Sequence, residues 1–389
     1  EKEKEREKEK EKKKRSEKKT GEKSKGAEKG KATDELLLSR FPNNLLMDLP
    51  NSIEELVLEP SYGVVVALLQ SVSSSGSQED ISNYCCAIID IFYTNQILDL
   101  LFKHLFHAEV ESAASLPLET ARSTLFREDS GATHLLKSFL TKNCRAYLAK
   151  LLAPCMNSLK LLGNLEIDPC RSGELSSEKL DMNTKSLEGV AYNILSTIFS
   201  HVDDVPFMLR RILRYLFLEV SEKFPGCGET ILSTQFFLRF VNPFIVSPDP
   251  EVFTRGSPNE TFEITREMQR ILILVSKIVQ NMANGVTFGE KEPFMLPFNK
   301  FLEDNGKRLY PFLYKLVDRE SIRKLEVNNP INIASSDNTN ALSVLVHSLV
   351  KYFDKVFMAV HNNPFVMIKL RHALHAGLVC CQYSIDMGY

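Results

Sequence analysis

From about Leu36 onward, apolar positions recur every three to five residues with little interruption. That is the spacing of one helix face, not the alternation of a strand. Ile88, Phe92, Ile97, Leu98, Leu101, Phe102 and Leu105 follow it, as do Val190, Ile194 and Ile198, and then Met208, Leu209, Ile212, Leu213, Leu216 and Val220. Strand signals are nearly absent, so the pattern predicts an all-α fold. Pro206 is placed to open one helix, and the cluster Pro225, Gly226, Gly228 to close it. "ETILSTQFFLRFV" predicts the next helix, ended by Asn242 and Pro243. Residues 264–284 predict one more long helix, and 163–187 a long polar connection within the bundle. No period of roughly 30–45 residues repeats, which argues against a helical solenoid. After Asn329, two apolar helical runs are divided by "NNPF". The expected division is a charged leader over 1–33, a helical domain over 34–325 and a C-terminal helical extension over 326–389.

The leader, "EKEKEREKEKEKKKRSEKKTGEKSKGAEKGK", has no apolar face. Its strict alternation puts like charges four residues apart, which weakens any helix, and it reads as a disordered spacer. Residues 1–31 hold 15 Lys/Arg against 9 Asp/Glu, so the remainder holds 33 against 41, a net of −8. That acidic balance argues against a nucleic-acid binder. The 389 residues, 43% of them hydrophobic, suffice for a large core. Apolar runs such as Ile271 to Val275 fall far short of the roughly 20 residues that span a bilayer. With no signal-peptide pattern at the start, a cytoplasmic protein is expected, and the first residue, which is not Met, predicts a segment of a longer one. The eight cysteines, at 85, 86, 144, 155, 170, 227, 380 and 381, form no CxxC pair and read as reduced core thiols.

Three stretches carry candidate chemistry. In "TLFREDSGATHLL", Thr124 to Leu136, Leu125 and Phe126 can anchor a loop on the core. Asp129 or Ser130 can cap the helix that follows, and Leu135, Leu136, Phe139 and Leu140 supply its buried face. A loop pinned on both sides can hold Arg127 outward, although most arginines are plain surface residues. In "FFLRFVNPFIVSP", Arg239 sits at an apolar helix end. A guanidinium buried there needs acceptors, and the carbonyls of a nearby loop are natural ones; the alternative is a head that snorkels to water. In "ILILVSKIVQNMANGVTFGEKEPFM", Leu272, Val275, Ile278, Val279 and Met282 face a core, while Lys277, Gln280 and Asn284 share a polar face.

Together these stretches resemble the Ras GTPase-activating protein family, which includes neurofibromin. "TLFREDSGAT" is similar to its finger loop, "FFLRFVNPFIVSP" to its FLR and NP block, and "SKIVQNMANGVTFGEKEPFM" to its third block. "LEIDP" and "PFMLRRILRYLFLEVSEKFP" also resemble connecting segments of the family, and the likeness runs from about Leu56 to about Lys315. The resemblance implies an all-helical domain whose shallow groove receives a Ras-like small GTPase in its GTP form. It implies that Arg127 reaches into the partner's nucleotide site and that Arg239 braces the finger loop through its backbone. Phe126, Leu238, Lys277, Gln280, Asn284 and Lys291 are then expected to meet the partner, with Asn242 and Pro243 structural. No cofactor of its own is implied, since GTP and magnesium belong to the partner. Recruitment to the inner face of the plasma membrane would use regions outside this chain.

The chemistry has its own reason for an arginine: negative charge gathers on phosphoryl oxygens as a γ-phosphate leaves, and a rigid, permanently charged fork of donors suits them better than an ammonium. Gly131, His134 and Phe244 depart from the residues common in the family, Gly131 in a way expected to loosen the finger loop, Phe244 in a way that needs extra room. Glu128 and Asp129 could pair with Arg127 in the unbound state. His372 and His375 are spaced as one helix face, with no acid or cysteine nearby to complete a metal site. No GxxxxGK[ST], GxSxG, HExxH or kinase set occurs. An activator of GTP hydrolysis, not an enzyme in its own right, is the expected function; a scaffold that binds the GTP form through the same groove is the alternative.

Overall fold

The computed structural model describes residues 53–126, 130–173, 175–248, 263–328, 338–370 and 373. Among these residues every regular element is a helix and no strand occurs, as the apolar spacing predicts. The chain divides into a larger unit, Val65–Lys355, and a smaller one made of Glu1–Val64 and Val356–Tyr389.

In order, the elements are α1 (Gly63–Ser75), α2 (Gln78–Thr94), α3 (Leu98–Ala114), α4 (Leu118–Thr124), α5 (Gly131–Phe139), α6 (Arg145–Leu159), α7 (Ser177–Ser200), α8 (Phe207–Lys223) and α9 (Gly228–Ser233). A π-helical segment, Thr234–Val241, leads into α10 (Asn242–Val246). Then come α11 (Arg266–Asn284), α12 (Asn299–Leu316), α13 (Arg319–Asn328), α14 (Thr339–Lys351) and α15 (Phe353–Val360). In the larger unit, α3 lies between α8 and α5, α2 between α5 and α14, and α11 packs on α7, α10, α12 and the π segment. Phe199, Phe236, Phe237 and Phe312 interlock at their centre, with Phe236 and Phe237 lying 5.3 and 5.8 Å from the Phe312 ring.

The α8 helix is amphipathic with an exception: Arg210 is 0% exposed. Its Nε donates to the Leu316 carbonyl at 2.8 Å, and its Nη2 to those of Lys315 at 2.5 Å and to Ser321 Oγ at 3.0 Å. One turn on, Arg214 Nη1 donates to the Val317 carbonyl at 2.7 Å. The two arginines thus satisfy carbonyls that the end of α12 leaves without intrahelical donors, and put positive charge at the negative end of its dipole.

Two expected boundaries move. The polar connection expected over 163–187 stops at Ser176, whose side chain accepts from the Lys179 amide and starts α7 at Ser177. The first turns of α7 bury only one face, through Asn183 and Leu187, so their polar majority is a solvated helix surface and not a loop. Nor do Asn242 and Pro243 end a helix. Pro243 cannot donate, and its ring crowds the carbonyl four residues back. The chain accommodates it by widening the preceding turns to the π form, with the Asn242 amide bonding five residues back to Phe237, and continues as α10.

The expected boundary at 325 falls inside α13, and α14 packs on α2 within the larger unit. Lys351 of α14 pairs with Asp80 at 3.0 Å, where Asp80 also completes the capping box with Ser77 that starts α2. In the smaller unit, Leu56, Val57, Val360, Val366 and Leu370 are buried, and Lys369 Nζ donates to the Glu55 carbonyl at 3.3 Å. Of the six cysteines described, Cys85 and Cys144 are buried and Cys170 is exposed. Burial pushes both buried thiols up, Cys85 to about 12. Cys380, Cys381, His372 and His375 lie outside the described residues, as does the leader.

Candidate functional site

The loop after α4 is pinned at both ends. Leu125 and Phe126 are buried, Phe126 at 2% exposure with its ring edge-on to Phe106 at 5.5 Å. Its backbone is left-handed, φ 54°, a conformation that costs a non-glycine residue about 1–2 kcal/mol and persists only where its surroundings enforce it. Here the enforcement is visible. The Phe126 carbonyl accepts Gln235 Nε2 at 3.3 Å and Arg239 Nη2 at 3.4 Å, both from the π segment.

At the far end, Ser130 caps α5. Its Oγ accepts from the Thr133 amide at 3.2 Å and donates to the Glu109 carboxylate of α3 at 2.6 Å. Arg127, Glu128 and Asp129 stand between these two anchors and lie outside the described residues, so the expected pairing of Arg127 with its acidic neighbours does too. Gly131 has a different role from the loosening expected of it. A Cβ there would sit 2.8 Å from Leu69 Cγ, so the glycine lets α5 approach α1 closely.

The π segment is itself held in place. Its Phe236 and Phe240 rings pack at 5.9 Å, and Ser233 Oγ, just before it, donates to the Ala283 carbonyl near the end of α11 at 2.9 Å. Arg239 is half-buried, with its head on the loop carbonyl, which realises the first of the two alternatives for it. Leu238 and Asn242 are half-buried and Pro243 exposed; Asn242 Oδ1 is buried without a hydrogen-bond partner. Phe244 finds its room: it is buried, with the Arg145 guanidinium 5.9 Å over its ring.

The third stretch ends at Gly285, left-handed at φ 64°, with Val286 bonding back to Asn281 and Gly285 to Met282. The segment beyond is tied by Asn299, whose side chain bonds the Phe288 amide and carbonyl at 2.8 and 3.1 Å. Lys277 pairs with Glu292, and its ammonium lies 5.8 Å over the Phe294 ring. Gln280, Asn284 and Lys291 are exposed. Of the six residues expected to meet a partner, Phe126 alone is buried. Its ring serves as the loop's anchor, and its contribution to the site is the carbonyl.

"LEIDP" braces α11 from the other side. The Glu166 carboxylate takes Arg270 Nε at 2.7 Å and Nη2 at 2.9 Å, and the amides of Ile167 and Asp168. Burial acts to raise this carboxyl, but Arg270 and the amides outweigh it and hold it below the ordinary carboxylate range.

Gln235 and Glu109 do not stand out in the sequence reading. Gln235 was legible, since it lies four residues before Arg239 and therefore on the same side of a helix, the only polar companion of that arginine in an aromatic run. Nothing local marks Glu109, which reaches Ser130 across 21 positions. Among the described residues no group of three His, Cys, Asp or Glu could hold a metal ion, and no helix is long and apolar enough to cross a membrane. What the arrangement can do is fix the chain at both ends of the three-residue segment 127–129.

Residues 101–284 match the family model described as GTPase-activator protein for Ras-like GTPase. The chain is 26% identical over 322 residues to "Ras GTPase-activating protein gap-2" of Caenorhabditis elegans, covering 82% of this chain and 25% of that protein. It is 28% identical over 314 residues to "Ras GTPase-activating protein 1" of Homo sapiens, covering 75% and 28%, and 25% identical over 280 residues to "Inhibitory regulator protein IRA1" of Saccharomyces cerevisiae, covering 71% and 8%. The chain therefore spans about a quarter or less of the length of the first of these relatives and of the yeast one, and little more of the human one.

Proposed function

Since residues 101–284 belong to the RasGAP family, we propose that the chain accelerates GTP hydrolysis by a Ras-like small GTPase, inserting Arg127 in trans into the partner's nucleotide site. The observation that carries this reading is the Phe126 carbonyl, one peptide before Arg127, held by both Gln235 and Arg239. A finger is useful only if its base does not move. Charge develops on the γ-phosphoryl oxygens in the transition state, and a donor already aimed there costs no reorganisation at that moment.

In this reading GTP and Mg²⁺ come with the partner. Arg127 supplies the guanidinium, Arg239 and Gln235 act as positioning residues, and Ser130 with Glu109 fixes the C-terminal side of the loop. Lys277, Gln280, Asn284 and Lys291 border the surface the GTPase meets, where the two lysines act mainly on association rate and its salt dependence. A cytoplasmic setting, at a membrane that carries the GTPase, follows from the same reading.

Single-turnover GTP hydrolysis by a panel of Ras and Rap proteins tests it. Arg127→Ala and Arg127→Lys are each expected to remove most of the acceleration, within the range of about 10³ to 10⁵ known for arginine fingers of Ras activators, while GTP-dependent binding persists. Unchanged or slowed hydrolysis with the wild-type chain, alongside GTP-dependent binding, would make it a scaffold and overturn the proposal.

A further inference from the structure

Away from the finger loop, α8 and α13 line an open pocket of about 280 Å³ whose walls carry four arginines, Arg211, Arg214, Arg319 and Arg323, with Tyr215 and a single carboxylate, Glu326. The four are not equally satisfied. Arg211 Nη2 bonds buried Asp99 at 2.6 Å and its Nη1 bonds Glu326 at 2.8 Å. Arg214 spends Nη1 on a carbonyl at the end of α12 and has no carboxylate partner among the described residues. Arg319 and Arg323 are exposed and have no hydrogen bond or ion pair among the described residues. They stand four apart on one face of α13, an arrangement of like charges that destabilises a helix. Lys103 of α3 lies 5.6 Å over the ring of Tyr215.

We infer that this pocket binds a compact anion carrying two or more phosphate groups. The guanidinium fork matches phosphate oxygens in pairs. The cavity is too small for a folded segment and of the right order for a small phosphorylated headgroup. Glu326, half exposed and seated on Arg211, occupies the place of the anion in the free protein and can swing out to solvent when a denser charge arrives. The pocket and the finger loop sit at opposite ends of α3, which carries Asp99 in its first turn and Glu109 ten residues on, roughly 15 Å along the axis. Binding at the pocket is therefore separable from the activity proposed for Arg127.

The same phosphate chemistry is offered by a lipid headgroup and by a soluble metabolite. The test uses the full chain with two probes: inositol trisphosphate by calorimetry, and sedimentation with phosphatidylcholine vesicles with or without a few per cent phosphatidylinositol bisphosphate, at physiological salt. The basic leader is present in every protein compared, so differences between variants read the pocket alone. Arg319→Ala/Arg323→Ala is expected to weaken binding at least about tenfold, and Glu326→Gln to strengthen it. GTPase activation stays unchanged in the double variant. Loss of vesicle binding in the double variant identifies a lipid source, and an effect confined to the soluble probe identifies a free one. The proposal is overturned if neither probe binds saturably, if the double variant binds as wild type does, or if polyglutamate competes as well as the trisphosphate, which would make the pocket a docking point for acidic protein.

Discussion

Two arginines in this molecule look alike on paper. Arg210 in "FMLRRIL" and Arg239 in "FFLRFV" each follow a leucine inside an apolar helix, and each turns its head to backbone carbonyls on another element. Arg210 is fully buried, with three hydrogen bonds of 3.0 Å or less and an ion pair to Asp203, and it caps the end of α12. Arg239 is half-buried and gives the loop carbonyl a bond of 3.4 Å. The first is a structural clamp, fully buried and out of reach. The second shares a single carbonyl with Gln235. The positioning role proposed for Arg239 asks only that the carbonyl before residue 127 be held, and a longer, shared bond meets that demand.

The contrast can be broken at several points. Arg210→Ala takes the guanidinium away from the carbonyls of Leu316 and Lys315, while Asp203 keeps Lys315 as its counter-charge, and is expected to cost about 3 kcal/mol of stability in urea unfolding. A loss under about 1 kcal/mol would mean water replaces the guanidinium readily. Arg239→Ala should leave the unfolding midpoint nearly in place and lower GTPase activation by roughly a hundredfold in kcat with little change in KM, because a finger displaced by about an ångström loses that much. If KM carries the loss instead, Arg239 contacts the partner and does not brace the loop. Gln235→Leu keeps the shape and removes the second donor, with about a tenfold fall in kcat expected, matching the worth of one buried hydrogen bond.

The smallest effect concerns pH. The Ser77 amide, then Lys351 and the Ser77 hydroxyl, hold the Asp80 carboxyl down at about 2, from an ordinary 3.8. A depressed carboxyl pKa means stability that is present above the unfolded value and is lost as pH falls from there through about 2. Acid titration of the unfolding midpoint should therefore flatten over that interval in Asp80→Asn, and an unchanged profile would show that neither the Ser77 cap nor the Lys351 pair of Asp80 carries weight.

Much of this was legible beforehand, and the exceptions share a cause. The spacing of apolar residues located α3, α8 and α11, because a helix that buries one stripe must repeat it. Leu125 and Phe126 were recognisable as anchors from their apolar type, and the cap was narrowed to Asp129 or Ser130, of which Ser130 fills the place. The start of α7 was missed because a helix exposed on most of its girth shows too few apolar positions to mark it. Pro243 was read as a terminator because the proline rule concerns an α-helix, and here the chain changed helix type instead. Gly131 was read as looseness where α1 supplies a reason for its size, and α1 is 60 positions away.

By itself, then, the order of residues determined the helical class, the anchors on either side of residue 127 and the likeness of 101–284 to the family model they match, since each depends on side-chain type and near-neighbour spacing. Which carboxylate holds the Ser130 cap, which carbonyls Arg210 satisfies and which cations share a cavity were decided only in three dimensions. Hydrogen bonds and ion pairs are short-ranged, and their partners here lie about 20 to more than 100 positions apart, so no local pattern can express them.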